Sequence, residues 1–256
     1  MDIRRRMRYN GEKGGGGMAG LQEVIDRSKR IVFFGGAGVS TASGIPDFRS
    51  AEGLYAETFG PGSPFEGLTP EMILSQSFFY LDPERFFAFY RRFMLHPEAA
   101  PNAAHRKLFA LERADRLRGI VTQNIDGLHK RAGNLRVYEI HGSVMENYCM
   151  DCGASYGVEA ILRSEGIPRC GRCGRFGQPG GVIKPWVVLY GEAPDKYTCM
   201  GACREISNCD TLIVAGTSLS VEPAASFLDY FHGKDLVVVN NEKTPADARA
   251  DRKSVV

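Results

Sequence analysis

Two Cys-x-x-Cys pairs, Cys149/Cys152 and Cys170/Cys173, stand 17 residues apart and constrain this chain more than any other feature. Four thiolates at that spacing match a tetrahedral zinc site, which closes a loop of the chain around one ion. With all four positions taken by protein there is no open coordination site, so the zinc is structural and takes no part in bond cleavage. A thioredoxin-like redox pair would account for one Cys-x-x-Cys, not for two. The seven cysteines are odd in number, and no apolar core follows the N-terminal arginines as a secretory signal requires. A disulfide framework is therefore not expected. Cys199, Cys203 and Cys209 read as buried thiols.

On either side of the cysteine segment, strand and helix alternate. Hydrophobic patterning predicts strands at 31–34, 120–122, 137–140, 212–215 and 236–239, and helices at 84–95, 103–113 and about 224–231. Thr69-Pro70 and Asp82-Pro83 each place a capping side chain before a proline at the first helical position. This rhythm predicts an α/β fold: a doubly wound, parallel, Rossmann-like sheet with a small inserted zinc-binding module and a helical insertion. The expected nucleotide-binding domain comprises 18–52, 100–147 and 181–256. Residues 53–99 form the helical part of a small domain, and 148–180 the zinc-binding module.

The head of the chain is different. Arg4, Arg5, Arg6, Arg8 and Lys13 face only Asp2 and Glu12, and four glycines occupy 14–17. Residues 1–17 read as a flexible leader, dispensable for folding, with Met18 opening the domain. A net charge of +2 gives no argument for nucleic-acid binding. No apolar run approaches the ~18 residues of a membrane span, so a cytoplasmic protein without membrane contact is expected.

Gly36-Ala37-Gly38 follows the first strand and allows the backbone to approach a pyrophosphate seated on a helix N-terminus. The third glycine of the dehydrogenase fingerprint would fall at 41, which is Thr41. Instead of running to a second strand that ends in an acid, the chain enters a loop carrying Asp47, Phe48 and Arg49. That departs from hydride transfer and leaves open a nucleotide that is itself cut.

Gly36-Ala37-Gly38-Val39-Ser40 and Gly44-Ile45-Pro46-Asp47-Phe48-Arg49 resemble the sirtuin signature. Further matches are Thr122-Gln123-Asn124-Ile125-Asp126-Gly127-Leu128-His129, His141-Gly142, the two cysteine pairs and Leu189-Tyr190-Gly191-Glu192. Gly216-Thr217-Ser218-Leu219-Ser220-Val221-Glu222-Pro223 and Val239-Asn240-Asn241-Glu242 complete the order, so the resemblance spans about 21–251. It implies an NAD-dependent protein-lysine deacylase, with acetyl as the default acyl group. The acyl group would pass from lysine to ADP-ribose with release of nicotinamide.

The resemblance also implies roles. Asp126 would receive the nicotinamide amide, and Asn124 would hold ribose or a water beside Ser40. Taken alone, Asn-x-Asp-Gly is a plain turn with side-chain capping. Phe48 would cover the ribose face while Asp47 and Arg49 fix the loop; Gly36, Ala37, Gly38, Thr41, Gln123 and Ile125 complete the near side of the NAD site. Gly216, Thr217 and Ser218 end one strand, Asn240 and Glu242 the next, at the carboxyl edge where such sheets bind ligands. The resemblance gives these to the phosphates and adenosine ribose. Gly191, Glu192, Leu219, Ser220 and Val221 would sandwich an acyl-lysine peptide as an added strand. His141 is the expected general base, since an imidazole takes up a proton near neutral pH. His96, His105, His129 and His232 read as structural.

Four differences from relatives stand out. Lys184 occupies a position where many relatives have arginine, and Trp186 one where a small polar residue is usual, which puts peptide preference in question. After Asp251, relatives usually continue into a strand and a short helix, whereas this sequence stops at Val256. Desuccinylating relatives carry Tyr-x-x-Arg; here Tyr90 is followed three residues later by Phe93, with Arg91 and Arg92 out of register. A small, uncharged acyl group is therefore expected. A mono-ADP-ribosyltransferase and a catalytically idle NAD-sensing module are the competing readings.

Overall fold

The computed structural model describes residues 18–48, 50, 53–56, 59–175, 177–220 and 224–254. The leader, Arg49 and Val221 lie outside the described residues. The strands are β1 (Ile31–Gly35), β2 (Leu117–Thr122), β3 (Val137–Glu139), β4 (Gly142–Cys149), β5 (Ser155–Gly157), β6 (Ile183–Val187), β7 (Thr211–Ala215), β8 (Asp235–Val239) and β9 (Arg252–Ser254). The α-helices are α1 (Met18–Arg27), α2 (Pro70–Ile73), α3 (Gln76–Leu81), α4 (Pro83–Phe89), α5 (Ala103–Arg113), α6 (Leu128–Arg131), α7 (Glu159–Leu162) and α8 (Lys196–Asn208).

Six strands pair in parallel in the order β3-β2-β1-β7-β8-β9. The chain starts at the centre, winds outward one way and then returns to wind the other. A crevice therefore opens at the carboxyl ends of β1 and β7. Along β1 the side chains alternate between two buried layers. Ile31 and Phe33 pack with Val24 of α1 and Leu108 of α5. Val32 and Phe34 pack with Ala202 and Ile206 of α8 and with Phe227 and Leu228. Burial on both faces is what a parallel sheet requires.

The capping expectations hold: Thr69 Oγ1 accepts the Met72 N–H (3.3 Å) and Asp82 Oδ1 the Arg85 N–H (3.0 Å). Three expectations need correction. The helix anticipated at 84–95 ends at Phe89 and continues as a π-helical turn over Tyr90–Met94. Phe86, Phe87, Phe89 and Tyr90 are all fully buried, so this segment faces core on more than one side. The helix anticipated near 224–231 is a 3-10 helix, Ala225–Tyr230. The segment after Asp251 forms β9, which extends the sheet beyond β8.

The remaining strands form an antiparallel sheet in the order β5-β4-β6. It overruns the expected 148–180 module on both sides, because β4 begins at Gly142 and β6 ends at Val187. Patterning did not reveal these strands: Pro185 interrupts β6, and a register shift lies between Ser143 and Asn147 of β4. The proline is tolerated because β6 is an edge strand. Val144, Val187 and Leu189 join the aromatic rings of α3 and α4 in one core, so the helical insertion and the small sheet share their packing.

Candidate active site

The turn after β1 lies pressed against the turn after β7. Gly36 N–H donates to Ala215 C=O (3.1 Å) and Gly38 N–H to Gly216 C=O (2.9 Å). A Cβ on Gly36 would lie 2.6 Å from Thr217 Cβ, and one on Gly38 2.9 Å from Gly216 Cα. Both glycines are thus required by the approach of two protein turns, whatever they offer a ligand. The expected helix start is instead a pair of 3-10 turns, Ala37–Val39 and Thr41–Ser43. Pro46 disfavours helical backbone at Ile45, so no α-helix follows whose N-terminus could hold a phosphate. Thr41 is exposed and donates its hydroxyl to Gly38 C=O (3.0 Å).

A directed hydrogen-bond chain leads from β2 into this turn. Asn124 Nδ2 donates to Ser40 Oγ (3.1 Å), and Ser40 Oγ donates to Asp126 Oδ2 (2.6 Å). Asp126 Oδ1 accepts the Leu128 N–H (2.8 Å), so the capping turn is present too. Each carboxylate oxygen keeps an unused lone pair for a further donor. Gln123 crosses to the other half of the sheet: its N–H donates to Gly35 C=O (2.9 Å) and its Nε2 to Thr217 Oγ1 (2.8 Å). Ile125 C=O accepts the Val144 N–H (2.8 Å), which ties the loop to β4.

His141 sits between β3 and β4, half-buried. Its Nδ1 lies 3.0 Å from Gln123 C=O. A carbonyl can only accept, so Nδ1 carries the proton and the Nε2 lone pair is free. Burial pulls the imidazole below its ordinary value, and the Gln123 carbonyl partly opposes this. The ring is therefore neutral at neutral pH, the state a base needs. Gly142 has φ +79°, and a Cβ there would lie 2.0 Å from Trp186 O, so no side chain fits beside the histidine. His105 and His129 are fully buried with ring centroids 4.6 Å apart. Burial lowers both, His129 to about 3.

Phe48 packs on Tyr55 at 5.5 Å, and Asp47 Oδ1 accepts the Ser50 N–H (2.8 Å), closing that loop. Tyr55 and Tyr190 share a hydroxyl–hydroxyl hydrogen bond, which joins this loop to the segment carrying Gly191. The Glu192 carboxylate is engaged within the fold: Oε2 accepts from Lys184 Nζ (3.1 Å) and from the Leu189 N–H (3.0 Å). Sequence reasoning missed this pair; a lysine inside an apolar strand was the available signal. Leu219 has φ +53° and buries its side chain in the large-sheet core, while its N–H donates to Thr217 Oγ1 (3.1 Å). Ser218 and Ser220 bond to each other (2.7 Å), and Asn240 Nδ2 donates to Glu242 C=O (3.1 Å). Arg91 Nε donates to Ile161 C=O (2.8 Å) and its Nη2 to Ser164 Oγ (2.6 Å), while Arg92 is exposed.

The four cysteine sulfurs lie within 4.8 Å of one another. Cys149 and Cys173 Sγ are 3.6 Å apart, Cys152 and Cys170 Sγ 3.7 Å. A zinc tetrathiolate with Zn–S near 2.3 Å has S–S edges of about 3.8 Å, so the set fits that ion. The Arg172 N–H (3.3 Å) and Gly181 N–H (3.4 Å) point at Cys170 and Cys173, as donors to thiolates should.

Comparison with known proteins agrees with this geometry. The model of the Sir2 family matches residues 36–223. The chain belongs to the Sir2 family. A Clostridium perfringens relative named "NAD-dependent protein deacetylase" is 51% identical, over 90% of this chain and 91% of its own. A Cutibacterium acnes protein of the same name is 49% identical over 90% of each chain. A solved Sir2–p53 peptide–NAD+ complex is 34% identical with TM-score 0.77, over 94% of this chain and 93% of that one. A Sir2 variant holding deacetylated p53 peptide and 3'-O-acetyl ADP ribose is 35% identical with TM-score 0.80, over 93% of both chains. No helix among the described residues of this Sir2-family chain is long and apolar enough to cross a membrane.

Proposed function

We propose that this chain is an NAD-dependent protein-lysine deacetylase that moves an acyl group from lysine to ADP-ribose and releases nicotinamide. The observation that carries the reading is the Asn124–Ser40–Asp126 chain beside His141, at the carboxyl edge of a doubly wound sheet. Relatives that share the fold and half the sequence bear that activity in their names.

NAD supplies an electrophilic ribose carbon and a nicotinamide leaving group. Asp126, oriented by Ser40 and the Leu128 N–H, accepts from the departing carboxamide. Asn124 fixes Ser40 and the ribose side. Phe48, on its loop with Asp47 and Arg49, shields the ribose face from water. The turns at 36–41, Gln123, Ile125, Gly216–Ser218, Asn240 and Glu242 surround the dinucleotide. His141 accepts the proton of a ribose hydroxyl at Nε2, because Nδ1 is held protonated by Gln123 C=O. Gly191, Glu192, Leu219, Ser220 and Val221 are the residues assigned to the acyl-lysine segment, which would lie between them as an added strand. The zinc on Cys149, Cys152, Cys170 and Cys173 supports the small sheet, and the cytoplasm is the compartment.

Nicotinamide release, measured with and without an acetyl-lysine peptide, tests the reading. Release that requires the peptide and matches its deacetylation is expected. Peptide-independent release that labels protein with ADP-ribose would replace it with a transferase, and no release at all would leave an idle module.

A further inference from the structure

Asn102 caps α5 with more contacts than a cap needs. Its Oδ1 accepts from the Ala104 N–H (2.9 Å) and the His105 N–H (3.4 Å). Its own N–H donates to His105 Nδ1 (3.3 Å), which closes a capping box. Serine or aspartate would serve α5 equally well, since a cap uses only an oxygen. The amide nitrogen does something else. Asn102 Nδ2 donates to Val39 C=O (2.8 Å) and to Ser43 Oγ (3.0 Å), clamping the two 3-10 turns that follow β1.

Those turns need an external tether. Each spans three residues and has no α-helical ladder. On the β7 side they are held by Gly38 N–H on Gly216; on the opposite side the amide takes the carbonyl next to Ser40. Ser40 in turn donates to Asp126. The other half of the capping box continues the linkage, because His105 packs on His129, three residues beyond Asp126. One side chain thus fixes the start of α5 and the position of Ser40.

We infer that Asn102 is a positioning residue for NAD: its amide holds the Ser40 turn in the NAD-binding arrangement, a function separable from its helix cap. The inference rests on the assignment of that turn to NAD. Asn102→Asp separates the two functions, since a carboxylate keeps both cap bonds, sets an acceptor against Val39 C=O and leaves Ser43 Oγ to donate where it had accepted. Loss of the Val39 bond, with two acceptor oxygens left face to face, corresponds to an effect of about tenfold.

The test measures melting temperature, KM for NAD and KM for acetyl-lysine peptide in wild type, Asn102→Asp, Asn102→Ala and Ser40→Ala. Asn102→Asp should melt above Asn102→Ala, raise the NAD KM about tenfold and leave the peptide KM unchanged. Asn102→Ala should show the same KM change together with a lower melting temperature. An unchanged NAD KM in Asn102→Asp, with a raised one in Ser40→Ala, overturns the proposal and leaves the NAD assignment standing. No change in either removes the assignment and the proposal together. Equal rises in both KM values with a falling melting temperature make Asn102 merely structural.

Discussion

The large sheet and the small sheet hold their functional groups by opposite means. The six parallel strands are buried on both faces, and their site is built at strand ends by backbone contact and short polar chains. The three antiparallel strands share one aromatic core with the insertion helices, and their far end is gathered by four cysteines. Hydrophobic burial alone suffices for the first. The second has too little interior at its tip and relies on a metal. Loss of the metal should therefore injure the two regions unequally.

The largest expected effect follows. Cys170→Ser, or a strong chelator, should unfold the small module while the parallel sheet persists, because thiolate zinc can supply on the order of 10 kcal/mol to such a domain. Metal content, near-UV dichroism and hydrogen exchange resolved by segment measure this. Uniform loss of protection across both sheets would break the comparison.

Next in size is the division of labour within the parallel-sheet site. His141→Ala should lower deacetylation by about 10²–10⁴ and preserve the melting temperature and most nicotinamide exchange. Asp126→Asn should impair exchange first. If His141→Ala instead lowers melting temperature and both activities in step, the histidine belongs to the fold and not to the chemistry.

Acid should weaken the large sheet through its histidines. Burial holds His105, His129 and His141 below their ordinary value, so the unfolded chain gains protons near pH 6.5 that the folded one refuses. Stability is complete above that pH and falls below it, by up to about 1.4 kcal/mol per unit for each histidine. Neither ring nitrogen of His129 has a hydrogen-bond partner among the described residues. His129→Leu should then make the slope below pH 6.5 shallower in urea titrations. An unaltered slope would leave the acid lability to His105 and His141 and remove His129 from it.

The smallest effect sharpens the boundary between the regions. Arg91 spends its guanidinium on Ile161, Ser164 and Gly166, and Arg92 lies exposed over the Phe93 ring. Neither offers a charge to an acyl carboxylate, so acetyl-lysine should exceed succinyl-lysine by about tenfold or more in kcat/KM, the cost of a buried unpaired charge. Equal efficiency would show that one arginine leaves its partners.

Legibility in the sequence divided along similar lines. The five parallel strands with β-branched runs were readable from period and composition, as were the metal ligands from spacing. The turn after β1 was misread as a helix start because glycines announce close approach without saying to what; here the partner is Gly216 and Thr217, far along the chain. The small antiparallel sheet was hidden by Pro185 and a register shift. The π-turn over Tyr90–Met94 changes the register expected of Arg91 and Arg92, and Arg91 is excluded by its contacts instead. A lysine inside an apolar strand signalled that Lys184 needs a partner without naming Glu192, and the double duty of Asn102 depends on tertiary neighbours that no local pattern encodes.

One feature of the small sheet has a mechanical side. Gly142 faces Val187 and Cys149 faces Ile183, so β4 and β6 form a two-stranded stem rooted beside His141 with the metal at its tip. The five residues of β6 set the length of this lever at about 16 Å, since Val144–Glu146 of β4 have no partner in β6. A sideways excursion of about 1 Å at the cysteines tilts such a stem by about 4°, which moves an atom about 3 Å from the root by only about 0.2 Å. The imidazole is thereby insulated: the tip can rattle without detuning the base.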